Sequence, residues 1–324
     1  MKYTSLKQRL KMIGAFLLIV FLLPYVVTIF MHGTAQRLTE PSAAENFNVR
    51  VSVCREDGTE QISELPWEKY FLGVLAIEVP ENSETEFVKA QAVLLRTSLY
   101  KELKTQENSV LKERFLSEKE LERKCANTTD NAYYEKLCRA MNETAGEVLF
   151  YEGTYATVPF HQSSNGATRD YKEVTGQEGC PYVTVRECPS DKEAETEMQV
   201  TVWDYQEVQK RCQAFLVAVS EKKSKKTYEF TDFEIISYDT AGYVSELRIG
   251  ETHISGDQFR DALSLSSSAF SIDDEDGCLR ITTMGKGHGL GLSQWTANEL
   301  AKEGKNYQEI LRFFFEGTNL TKAE

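Results

Sequence analysis

The 324 residues carry 50 acidic and 37 basic side chains, a net charge of −13, with 41% of residues apolar. An acidic surface of this kind repels phosphate backbones and anionic headgroups, which argues against nucleic acid as a partner. Seven cysteines (Cys54, Cys125, Cys138, Cys180, Cys188, Cys212 and Cys278) contain no CxxC pair, so a zinc ribbon has no ligands of the usual spacing.

Lys2, Lys7, Arg9 and Lys11 precede an uncharged, mostly apolar run from Met12 to Met31. As a helix that run spans ~30 Å, about one hydrocarbon core. The cations in front orient its start toward the cytoplasm. Gly33-Thr34-Ala35 resembles a small-x-small cleavage site, but the apolar run exceeds the ~7–15 residues of a signal h-region, which favours a retained anchor. The expected organisation is a cytoplasmic tail (1–11), a transmembrane anchor (12–31), a short polar stalk (32–46) and one large extracytoplasmic domain or two packed lobes (47–324). The protein is thus expected to be single-pass in the cell membrane. Export permits disulfides, and Cys180 with Cys188 could close a short loop, although spacing does not reveal pairing.

Val49, Val51 and Val53 alternate with polar neighbours and predict a half-buried strand. Asp57-Gly58 marks a turn. Pro66 opens a helical stretch over Trp67–Ile77 that Pro80 ends. A second helix is predicted from about Glu86 to Leu103. The charged stretch near 104–140 is poorly patterned and reads as a peripheral insertion. Strands follow between Ala145 and Phe160, around a Glu152-Gly153 turn. A polar second insertion is expected near 189–230, with the Glu221–Lys226 run as solvated loop. Phe230–Tyr238 and Val244–Ile249 read as an antiparallel pair about Asp239–Gly242. A short helix near Gln258–Leu263, a strand at Leu279–Thr283 and a last helix near Ser293–Lys302 complete the chain. Strand pairs mixed with helices, without βαβ regularity, predict an α+β fold.

Three segments could carry chemistry. Glu78 ends an apolar helix in Leu75-Ala76-Ile77-Glu78-Val79-Pro80, where desolvation raises a carboxyl pKa and suits a general acid. A helix-end glutamate facing water is the plainer reading of that position. Gly285 to Gln294 sets four glycines around His288, and no Gly-Lys-Ser/Thr follows, which removes the phosphate-loop reading. His161-Gln162-Ser163-Ser164-Asn165 gathers hydrogen-bonding groups suited to sugar hydroxyls, or to an ordinary polar turn. A Ser/His/Asp triad has no Gly-x-Ser-x-Gly elbow to support it.

Together and in order, these segments resemble the stage II sporulation protein D family (SpoIID/LytB-like). The resemblance runs through Phe71–Pro80 and Lys89–Thr97, then His161–Thr168, then Gly256 with Phe259-Arg260, Leu263 and Ser268. It ends on Gly285–Gln294, Ala301–Gly304, Tyr307, Glu309–Leu311 and Gly317-Thr318. It implies a lytic transglycosylase of peptidoglycan that cuts the β-1,4 bond between N-acetylmuramic acid and N-acetylglucosamine, preferring stem-stripped strands and leaving 1,6-anhydro ends. The family's catalytic glutamate falls on Glu78 and its essential arginine on Arg96, which would hold Glu78 or a substrate oxygen. His161, Ser163, Thr168, His288 and Gln294 are assigned to the glycan groove. No cofactor and no metal are implied, since the His-Cys pair of zinc-binding relatives is missing after Cys125. Glycan strands are the expected partner, with a sporulation amidase and a membrane scaffold by resemblance only. Where the family commonly has Ser-Gln-Tyr-Gly, this chain has Ser293-Gln294-Trp295-Thr296. A non-catalytic glycan-binding enhancer of an amidase is the alternative.

Overall fold

The alternation of Val49, Val51 and Val53 does produce a strand, β1 (Asn48–Cys54), which pairs antiparallel with β2 (Glu60–Pro66) so that Asn48 faces Pro66. The computed structural model describes residues 45–54, 60–105, 109–126, 132–194, 198–216 and 228–323. The chain divides into two units, 1–46 and 47–324, and every element below belongs to the second. The expected anchor at Met12–Met31, the Asp57-Gly58 turn and the Glu221–Lys226 run lie outside the described residues. Among the described residues no helix is long and apolar enough to cross a membrane.

Directly after Pro66 comes α1 (Trp67–Glu78), buried on nearly every face through Tyr70, Phe71, Leu72, Val74 and Leu75. A helix apolar all round belongs inside a core. It stops because Pro80 disfavours helical backbone at Val79, whose φ of −106° and ψ of 120° are extended. Next, α2 (Thr85–Thr105) runs across it, followed by β3 (Val110–Leu111), which pairs parallel with β1.

The stretch near 104–140, expected as a peripheral insertion, is part of the main core. In α3 (Glu118–Ala126) Leu121 and Cys125 are buried, and in α4 (Ala132–Glu143) Tyr133, Leu137, Cys138, Ala140 and Met141 are buried. Leu116 N donates to Gly73 O at 3.1 Å, and a Cβ at Gly73 would lie 2.4 Å from Leu116 O. In α4 the buried Tyr133, Leu137, Ala140 and Met141 recur at i, i+4, i+7 and i+8, a one-sided helical stripe.

The hairpin of β4 (Glu147–Tyr151) and β5 (Thr154–Tyr155) turns at Glu152-Gly153, with φ of 47° and 79°. After it come β6 (Phe160–His161), the single turn α5 (Tyr171–Thr175) and a 3-10 turn at Pro189–Glu193. The described part of the second expected insertion, near 189–230, also folds in. Within it, β7 (Met198–Trp203) and α6 (Tyr205–Arg211) lead to a separate apolar cluster that takes Tyr205, Val208 and Cys212. Around that cluster lie β8 (Phe233–Tyr238), β9 (Val244–Ile249) and β10 (Thr252–Ile254), then α7 (Gly256–Leu263). A hairpin of β11 (Phe270–Glu275) and β12 (Cys278–Met284) adds β7 as its third strand, giving two three-stranded sheets on one core.

The chain then returns to the first core. Short β13 (Leu292–Ser293) pairs parallel with β6, and α8 (Gln294–Lys302) follows at once. α9 (Tyr307–Phe314) buries Ile310, Leu311 and Phe314, and β14 (Asn319–Lys322) lies antiparallel to β4. The architecture is mixed α+β, as predicted. Cys180 and Cys188 are separate buried thiols, so they close no loop.

Candidate functional site

Glu78 is the last residue of α1, half-buried, and burial alone pushes its carboxyl pKa above the usual range. The end of α1 is clamped from α3 and α4. Lys124 Nζ donates to Ala76 O at 2.6 Å, and Tyr133 Oη donates to Val79 O at 2.7 Å. From the far end of the sequence, Gln294 Nε2 donates to Glu78 O at 3.0 Å and to Gln91 Oε1 at 3.4 Å. The first and last segments of the motif series thus meet at Glu78.

Gln294 is held from behind. Ser293 caps α8, and its Oγ donates to Asp191 Oδ1 at 2.8 Å. The fully buried Asp191 also accepts from Thr296 N at 3.1 Å, Thr296 Oγ1 at 2.6 Å and Ser164 N at 2.5 Å. Burying a carboxyl group is costly unless its lone pairs are filled in this way.

The glycine-rich segment crosses the His161–Arg169 segment along its length. Ser163 bridges Lys286 and Arg169 bridges Leu290. The glycines serve contact between backbones, not a phosphate. At Gly291 (φ 72°) a Cβ would lie 2.0 Å from Pro159 O, and at Gly287 (φ 121°) 2.6 Å from His161 Cβ. Only a residue without a side chain admits both the approach and the left-handed backbone.

This crossing places His161 and His288 with ring centroids 5.8 Å apart. His161 Nδ1 lies 3.1 Å from Leu290 O, which can only accept, so Nδ1 carries the proton and Nε2 is a bare lone pair. That Nε2 is buried without a partner among the described residues, as is Ser163 Oγ. Burial, then the neighbouring His288, lowers the His161 pKa to about 3. Burial and then Arg260 lower that of His288, whose Nδ1 accepts from Leu290 N at 3.0 Å. Both rings are neutral at pH 7 and neither supplies a proton donor of the imidazolium kind.

Two expected residues are spent inside the fold. Thr168 is fully buried, its Oγ1 donating to Thr184 O at 2.9 Å and accepting from Arg186 N at 2.8 Å. Arg96 is fully buried too. Its guanidinium donates to Thr144 Oγ1, Glu147 O and Met141 O, each at 3.3 Å, and stacks 4.8 Å from the Phe71 ring centroid. It thereby ties α2 to α4 and β4. Sequence reading missed Gln91, Asp191 and Arg169. Arg169 pairs with Asp239 at 2.6 Å and Asp257 at 2.9 Å, joining the His161 segment to the second core. Gln91 alone had a signal, being an amide among the apolar positions of α2.

Cys138, Cys188 and Cys212 are poor nucleophiles, because burial pushes Cys138 and Cys212 up to about 11 and Cys188 up to about 12. Among the described residues no group of three or more His, Cys, Asp or Glu is placed to hold a metal ion.

Comparison with known proteins supports the sequence resemblance. The SpoIID family profile, described as Stage II sporulation protein, matches residues 55–151. Stage II sporulation protein D of Bacillus amyloliquefaciens is 26% identical over 311 residues, 90% of this chain and 86% of its own length. The protein of that name from Bacillus subtilis (strain 168) is 26% identical over 277 residues, 82% of this chain and 77% of its own. The Bacillus subtilis protein named Amidase enhancer is 33% identical over 100 residues, 31% of this chain but 12% of its own.

Proposed function

We propose that this chain, a relative of the stage II sporulation protein D family, is a lytic transglycosylase of peptidoglycan glycan strands that acts in sporulation. The observation that carries the reading is Glu78, a desolvated carboxyl at a clamped helix end, where the motif segments converge. A raised pKa favours the protonated form of such a group, the form that can protonate the glycosidic oxygen between N-acetylmuramic acid and N-acetylglucosamine. Hydrolytic glycosidases need a second carboxylate to activate water or attack the sugar. A transglycosylase uses the sugar's own 6-hydroxyl, so Glu78 can protonate the leaving oxygen and then accept the hydroxyl proton, closing a 1,6-anhydro ring. His161, Ser163 and His288 line the glycan path in this reading. Arg96 and Thr168 support it from within the fold, and Gln294 from beneath Glu78. The run Met12–Met31 would anchor the protein in the membrane with the catalytic domain outside.

The test is mass spectrometry of glycan strands, with and without stem peptides, after digestion by the wild type and by Glu78→Gln. Release of 1,6-anhydro-muramyl products by the wild type alone is the expected outcome. A second reading, a non-catalytic enhancer of a wall amidase, draws on the partial likeness to the protein named Amidase enhancer. Strand binding without product from either strand type selects it.

A further inference from the structure

Gln294 spends both Nε2 protons, one on Glu78 O at 3.0 Å and one on Gln91 Oε1 at 3.4 Å. The first bond fills a carbonyl that the end of α1 leaves without a helical partner. The second fixes which way the Gln91 amide points, since its oxygen faces Gln294 and its nitrogen faces away. Gln91 is fully buried, and its Nε2 has no partner among the described residues. Buried donors left unmet are rare and costly, so this one calls for an acceptor.

We propose that Gln91 and Gln294 are a positioning pair for Glu78, Gln294 fixing its backbone and Gln91 Nε2 donating to its carboxylate in the ionised half of the cycle. The proposal rests on Glu78 being the acid of the reaction. When Glu78 gives its proton to the leaving glycosidic oxygen, its carboxyl loses the O–H and becomes acceptor-only. A rotation of the side chain toward α2 then lets Gln91 N–H meet the new charge with a charge-assisted bond. As the attacking 6-hydroxyl returns its proton to Glu78, that bond weakens and the resting state is restored. No atom is transferred to or from either glutamine.

The basic groups around this helix end are otherwise engaged. Lys124 and Lys136 donate to Ala76 O and Ser83 O at 2.6 and 2.5 Å, and Tyr133 donates to Val79 O at 2.7 Å. On α2, Lys89 pairs with Glu86 at 2.6 Å, and on α8, Lys302 pairs with Glu299 at 2.7 Å. Glu81 sits in the turn that follows α1, where Lys136 also reaches its backbone oxygen at 3.4 Å, and Glu84 N is bonded to Asn298 at 2.8 Å. Arg96 is bound to the three oxygens described above.

The experiment uses the full chain with Gln91→Met and Gln294→Met, which keep volume and remove the amide. Two readouts are taken: strand release as a function of pH, and infrared titration of the Glu78 carboxyl, assigned by its loss in Glu78→Gln. Gln91→Met is expected to move the Glu78 titration upward and to lower kcat about 10-fold with KM unchanged. Gln294→Met is expected to lower kcat in the same way, and the double variant to lose less than the two losses combined. An unmoved titration in Gln91→Met, or additive losses, overturns the pair, whatever happens to thermal stability. Should the wild type release no product, the activity assignment fails, while the infrared titration still decides whether Gln91 meets the Glu78 carboxylate.

Discussion

Carboxylates drawn out of water in this molecule are treated in two opposite ways. Around the glycine crossing, Asp191 takes four donors from Ser164, Ser293 and Thr296, while Asp239 and Asp257 hold the Arg169 guanidinium. At the end of α1, Glu78 is drawn in by burial with nothing to offset the cost, and its pKa rises. The contrast separates structure from chemistry. A saturated carboxylate holds segments together and is closed to other partners. A desolvated one holds its proton more tightly than an exposed carboxyl, the direction a general acid needs.

The largest expected effect breaks the comparison at Glu78. Glu78→Gln should cut strand release at least about 100-fold, the usual worth of a positioned acid, as read by mass spectrometry of anhydro products. A loss of less than fivefold would move the acid elsewhere. On the other side, Asp191→Asn should cost about 2–4 kcal/mol of stability in urea titration, because a carboxylate with four donors is replaced by a group that must point N–H at some of them. Arg96→Met sharpens the boundary between the two classes. It should lower stability by about 1–3 kcal/mol by leaving Met141 O and Glu147 O unmet, with activity falling only as the folded fraction falls. Lost activity in a fully folded Arg96→Met would return that residue to the substrate.

Two smaller effects follow from the pKa shifts. His161 is neutral when folded and titrates near 3, against 6.5 unfolded. Between those values the unfolded chain binds more protons, so stability is full above pH 6.5 and is lost as pH falls toward 3. His161→Phe should flatten that part of the stability–pH curve in thermal melts. For Glu78 the sign reverses, since a raised carboxyl pKa means that ionisation opposes folding. Glu78→Gln should therefore melt slightly higher than wild type at neutral pH, and a lower melting temperature there would contradict the burial assigned to it.

The sequence by itself determined a good deal. Local signals placed α1 between Pro66 and Pro80, the length of α2, the Glu152-Gly153 turn and the β8–β9 pair, because prolines, glycines and short-period patterns act over neighbouring residues. Glu78 they marked only as an acid after an apolar run, with a water-facing carboxyl the plainer reading, and it was the ordered motif resemblance that singled it out. What local signals could not supply is which side chains are spent elsewhere. Arg96 and Thr168 stand in the right segments but turn inward, and Gln91 and Asp191 drew no notice until folding put α8 beside α2 and the 3-10 turn at Pro189–Glu193. The helices of the 104–140 stretch were misjudged as peripheral for the same reason. Whether a polar group is free, capped or buried depends on donors tens to hundreds of residues away, and burial itself exists only once the elements have packed.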